Sequence, residues 1–157
     1  MSIRIVALET ELVKRLQNGG PDANGHKPER HISSGGGMMP CRHCLTDLRE
    51  GEPYLILAHR PFPNAQPYAE QGPIFLHAES CPRHADSRDV PDMFLGRAGY
   101  LIRGYGADDR IVYGTGQIVA PSAMARAADE MFGNRRVAYI HVRSASNNCY
   151  QARIDRG

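Results

Sequence analysis

The sequence predicts an α+β fold: a largely antiparallel sheet with two main helices, in a single domain. Stretches with strand composition outnumber helical ones and mostly follow one another, as antiparallel neighbours do. Only two stretches space their apolar residues along one helical face: Leu12, Val13 and Leu16, and Met124, Ala127, Ala128 and Met131. The length of 157 residues suits one core rather than two.

The elements follow in order. Ile3 to Leu8 reads as a strand, then a helix with Thr10 as its N-cap and Gly19-Gly20-Pro21 as its stop. Residues 18–37 carry six glycines, two prolines and almost no apolar side chain, which predicts a flexible loop or a functional lid. Leu45 to Glu50 makes one helical turn. Pro53 to His59 is a near-continuous apolar run, the pattern of a strand covered on both faces. A proline-rich connection through Pro61, Pro63 and Pro67 leads to a strand at Pro73 to His77, and Ser87 to Gly96 reads as irregular.

In the second half, Tyr100 to Tyr105 and Arg110 to Tyr113 are strands joined by Gly106-Ala107-Asp108-Asp109, good hairpin-turn chemistry. Gln117 to Ala120 is a further strand. Ser122 caps the second helix, whose methionines belong to the core, and Gly133-Asn134 ends it. Arg136 to Arg143 and Cys149 to Ile154 complete the sheet. Gly114-Thr115-Gly116 is not a nucleotide loop, because no helix directly follows it.

Composition narrows the function classes. Apolar residues at 41% and charged ones at 23% describe a soluble globular chain, and no apolar run approaches membrane-spanning length. Met1-Ser2-Ile3-Arg4-Ile5 lacks the features of a signal peptide, so a cytoplasmic location is expected. There, four cysteines are free thiols or metal ligands rather than disulfides. A net charge of +2, scattered basic residues and no Trp argue against a nucleic-acid partner. Seventeen of the nineteen basic residues are Arg. That follows from codon bias, except where arginines converge to present planar forks to an anion.

Three stretches concentrate the polar chemistry: Pro40-Cys41-Arg42-His43-Cys44, Phe75 to His84, and His141 to Cys149. Cys41-x2-Cys44 and Cys81-x2-His84 form two ligand pairs for zinc, with His77 as a spare, since two intervening residues let both ligands reach one ion. The plainer alternative is reduced thiols beside a surface histidine. A second arrangement makes Cys149 a catalytic thiolate, with His141 as its base and Arg143 and Arg42 as positive neighbours. Against it stands the tendency of free cysteine to pack as a small apolar residue. A third is a pocket for a small polar or anionic molecule, shared by the Cys41-Arg42 motif and the segment from His141 to Cys149. It draws on Arg42, Arg60, Tyr68, Glu70, Arg103, Arg143 and Asn148. Internal ion pairs, such as Arg42 with Glu52, would account for the same residues. Binding of a small ligand is the leading expectation, and cysteine-dependent or zinc-assisted catalysis the alternative.

From Pro40 to Arg156 the order of motifs resembles a family of bacterial proteins of about this length, domain of unknown function 1203. The resemblance rests on Pro40-Cys41-Arg42, Gly51-Glu52, and Pro67-Tyr68 ahead of Pro73-Ile74-Phe75. It closes with His141, Ala145 and Cys149 in H-x3-A-x3-C spacing, then Arg153-Ile154-Asp155-Arg156. It implies no activity. Within the family so resembled, Cys41-Arg42 and the His141…Cys149 ending recur, whereas a cysteine at position 44 is not obligatory.

Overall fold

In chain order the elements are β1 (Ile3–Val6), α1 (Thr10–Gln17), β2 (Glu29–Ile32), β3 (Pro53–His59), β4 (Gly72–His77) and α2 (Asp92–Leu95). There follow β5 (Tyr100–Tyr105), β6 (Gln117–Val119), a 3-10 turn (Pro121–Ala123), α3 (Met124–Met131), β7 (Tyr139–Ser144) and β8 (Tyr150–Arg156). The structure is a computed structural model and describes residues 2–157. The α+β class holds, with the strands divided between two antiparallel sheets.

The larger sheet has the order β1-β8-β7-β5-β6, so the first strand pairs with the last, Ile3 opposite Arg156 and Ile5 opposite Ile154. Successive strand residues point to opposite faces. Ile3 and Ile5, Tyr100 and Ile102, and Ala152 and Ile154 therefore share one buried face. α3 lays Met124, Ala127, Ala128 and Met131 into the same cluster, in the spacing the sequence announces. Between β7 and β8 the register shifts after Val142, so Arg143 faces Tyr150 and Gln151 is the extra residue. Bulges of this kind re-aim side chains.

The smaller sheet has the order β2-β3-β4. Its Leu55, Leu57, Ile74 and Leu76 share an apolar cluster with Val13 and Leu16 of α1 and with Cys41 and Cys44. Residues 40–44 are wedged between the sheets. Cys41 forms a bridge with Phe75, and the Arg42 amide donates to the Phe75 carbonyl at 3.1 Å. On the other side the Leu8 amide donates to the Arg42 carbonyl, and Arg42 Nε donates to the Tyr150 carbonyl at 2.7 Å.

Several elements differ from expectation. β2 lies inside the glycine-rich stretch, where its four exposed side chains carry no apolar pattern and backbone pairing with β3 defines it. In β3 only Leu55 and Leu57 are buried, so one face is covered rather than two. Residues 110–113 contribute a single bridge, Tyr105 to Ile111, instead of a strand. Residues 45–50 form no helix, and α2 falls within the stretch read as irregular. Neither Thr10 nor Ser122 caps a helix through its side chain. Thr10 is the first residue of α1, and its hydroxyl is hydrogen-bonded to His43 Nε2 at 2.9 Å. No helix among the described residues is long and apolar enough to cross a membrane.

Candidate metal centre

The wedge at residues 40–44 places its two cysteines on one spot. Cys41 donates its amide to the Thr46 carbonyl and accepts from the Leu45 amide, closing a tight turn with Leu45 at φ 52°. β4 ends beside this turn because Phe75 bridges Cys41, so His77, two residues on, reaches the same point. Cys81 arrives from the following loop. Ligand atoms of Cys41, Cys44, His77 and Cys81 lie within 4.8 Å of one another, an arrangement that can hold a metal ion. Cys41 is fully buried and Cys44 nearly so, while His77 and Cys81 border a groove of about 530 Å3.

Neighbouring groups support negative charge on the sulfurs. The His77 amide donates to Cys41 Sγ at 3.3 Å. His43 Nδ1 lies 3.1 Å from Cys81 Sγ, and Thr46 Oγ1 3.1 Å from Cys44 Sγ. Hydrogen bonds from Cys44 and Cys81 hold the Cys41 thiol far below its ordinary range. Cys81 is pushed up by its hydrogen bonds to Cys41 and Cys44, and His77 is raised to about 11 by its bonds to the same two cysteines. On its far side, His77 Nε2 meets Glu52 Oε2 at 2.8 Å. That bond leaves Nδ1, 3.4 Å from Cys44 Sγ, for the cluster.

Three expected ligands are therefore together, and the fourth position goes to His77 instead of His84. The two-residue spacing from Cys81 to His84 suggests a second pair. However, the His84 amide is tied to the His43 carbonyl, and its ring lies outside the cluster. Sequence reasoning also missed His43 and Glu52 as supports. His43 was legible as the residue inside the cysteine pair. Glu52, an example of an internal ion-pair partner for Arg42 in the alternative reading of the arginines, pairs with His77 instead.

Cys149 and His141 are not brought together as a catalytic pair. His141 is 1% exposed and ringed by Phe62, Tyr105, Tyr139 and Tyr150 at 4.6–5.3 Å between centroids. Burial and the adjacent Arg143 hold it well below its ordinary value, hence neutral, with Nδ1 3.4 Å from Arg143 Nη2. The Cys149 sulfur instead contacts the Asn147 carbonyl at 3.8 Å. The physical reason is strand alternation: His141 and Arg143 face the aromatic cluster, while the turn carrying Cys149 lies at the surface.

The arginines expected to meet a ligand mostly meet the protein. Glu70 takes Arg103 at 2.9 Å and Arg143 at 3.5 Å, and Asn148 also donates to it. Arg60 donates to the Phe62 carbonyl, and Tyr68 pairs with Tyr113 at the surface. Arg42 is the exception. It is 3% exposed, and its hydrogen bonds go to two carbonyls, those of Tyr150 and Pro40. Among the described residues no carboxylate pairs with it and Nη2 has no partner. Burial lowers it to about 10, which leaves it charged at neutral pH. It lines a cavity of about 440 Å3 between the 40–44 wedge and the turn from Ser144 to Cys149.

A protein-family model described as protein of unknown function (DUF1203) matches residues 38–156, a span that includes all four clustered ligands and Arg42. No curated protein and no solved structure matches the chain.

Proposed function

The chain belongs to the family described as protein of unknown function (DUF1203), and from its cysteine–histidine cluster we propose that it is a zinc protein with Cys41, Cys44, His77 and Cys81 as ligands. The observation that carries this reading is the spacing of the ligand atoms. Tetrahedral zinc with sulfur at about 2.3 Å and nitrogen at about 2.0–2.1 Å sets sulfurs about 3.8 Å apart and sulfur and nitrogen about 3.6 Å apart. Here Cys41 and Cys81 sulfurs are 4.0 Å apart, and Cys44 Sγ and His77 Nδ1 3.4 Å. The donor set is also the borderline-soft one that zinc prefers. Glu52 supplies the carboxylate that orients a zinc-bound histidine and fixes its tautomer.

The role is structural. Four protein ligands complete a tetrahedron and leave no position for a reacting molecule. The ion would join the Cys41–Cys44 turn to the end of β4 and to the Cys81 loop, holding Arg42 in place between the sheets. Thiolate ligation also suits the reducing cytoplasm, where we place the protein.

The test is metal analysis with native mass spectrometry on protein purified without added metal. One zinc per chain is expected, lost in Cys44→Ser and His77→Ala and kept in His84→Ala. A reduced, folded chain that neither carries zinc nor takes it up would sink the reading, and loss of zinc from His84→Ala would overturn the ligand assignment.

A further inference from the structure

We propose that the cavity beside Arg42 binds a small monocarboxylate with an apolar body, its carboxylate held by Arg42 Nη2 and the Tyr100 hydroxyl. The argument starts from two buried groups with unspent bonding capacity. A guanidinium nine-tenths or more buried almost always has a charged partner. Arg42 has only carbonyls, on Nε and Nη1. Tyr100, 1% exposed, has a buried hydroxyl with no hydrogen-bond partner. Both residues line the same cavity. A hydroxyl in this setting donates, and its proton is firmly held, because burial pushes Tyr100 up to about 12.

Charge and shape then narrow the class. Arg97, the other arginine at the cavity, is already paired with Asp47 at 2.8 Å. Arg42 is the one cavity arginine without a carboxylate partner, and a single guanidinium matches one negative charge better than the two of a phosphate monoester. With Nε turned to Tyr150, the side-on fork is closed, so one carboxylate oxygen meets Nη2 end-on and the other accepts from Tyr100. Apolar groups also line the cavity: Met38, Pro40 and the Phe75 ring, over which the Arg42 guanidinium lies at 5.9 Å. Ligand cavities of this kind run from about 300 to 1,000 Å3 with a few convergent polar groups, and this one measures about 440 Å3.

Isothermal titration calorimetry and amide-shift NMR with benzoate and hexanoate test the proposal, with benzamide as neutral isostere and inorganic phosphate as rival anion. The zinc content of each sample is recorded, so that failure of the metal centre is not mistaken for failure of this site. Expected is saturable binding of at least one carboxylate, with shifts at Tyr100, Ser144 and Gln151. Benzamide should bind about tenfold or more weakly, the scale of a charge-assisted hydrogen bond. Arg42→Gln should abolish binding. Because Arg42 also ties Pro40 to Tyr150, that variant can lose its fold, and Tyr100→Phe provides the second measurement. It keeps the ring and should weaken carboxylate binding by about tenfold. Arg60→Ala should bind as the parent does. No binding of either carboxylate at millimolar concentration, equal binding of benzamide, preference for phosphate, or an unaltered Tyr100→Phe would each overturn the proposal.

Discussion

Stripping the metal from the four-ligand cluster should lower the melting temperature by about 12 °C. The ion would cross-link Cys44 to His77, thirty-three residues apart in the chain. Treated as a covalent cross-link, a loop of that length removes roughly 12 cal/mol/K from the unfolded chain, about 4 kcal/mol at 25 °C. Unfolding entropy near 60 °C is about 2.1 cal/mol/K per residue, or roughly 330 cal/mol/K for 157 residues. The ratio gives the shift. The assay is differential scanning calorimetry of zinc-loaded and chelator-treated protein, both kept reduced, with zinc measured in each. His84→Ala should reproduce the full difference, and His77→Ala should melt like the stripped parent. A stripped protein melting within about 2 °C of the loaded one would refute the cross-link.

Three further outcomes follow from the same geometry. Glu52→Gln, which weakens the orientation of His77, should reduce zinc affinity by about 10–100-fold in competition with a chromogenic chelator; unchanged affinity would count against Glu52 as a support. Glu70→Gln leaves Arg143, 4% exposed at its side chain, without its carboxylate. Broken buried pairs cost about 3–5 kcal/mol, and because Glu70 is 38% exposed the loss should be nearer about 2 kcal/mol in urea unfolding. Acid should destabilise the fold through His59, which burial and the charges of Arg42 and Arg143 hold down to about 4. The unfolded chain takes up that proton near pH 6.5 and the folded one does not. Stability is therefore complete above pH 6.5 and falls by about 3 kcal/mol on the way to pH 4, an order-of-magnitude figure. His141 adds in the same direction. His59→Asn should flatten the profile between pH 6.5 and 4, and an unaltered slope would exclude His59 as its source.

Sequence and structure agree where a local pattern states a burial. Met124, Ala127, Ala128 and Met131 are spaced for one helix face and form one. Cys41, Cys44 and Cys81 were legible as ligands because the residue types themselves carry the chemistry. His77 was only a spare, since its role depends on Phe75 bridging Cys41, a pairing between sheets that spacing along the chain does not encode. β2 was hidden for a related reason: its side chains are solvent-facing, and only main-chain bonds to β3 make it a strand. The continuous apolar run of β3 overstated burial, because Tyr54, Ile56 and Ala58 lie on its less covered face. Tyr100 could not be found as a site residue, for it reads as one more apolar strand position until its hydroxyl is seen to lack a partner.

The pairing of β1 with β8 also has a consequence in time. All four clustered ligands and the three strands of the smaller sheet lie between residues 29 and 81, whereas Ile3 meets Arg156. At roughly 5–20 residues per second of synthesis, β1 waits about 8–30 s for its neighbour to be made. The smaller sheet, by contrast, has all its strands and every clustered ligand once residue 81 is made. Translation thus orders the assembly: the smaller sheet and the four-ligand cluster can form while Ile3 and Ile5 still lack their partner strand, and the larger sheet closes only once β8 has been made.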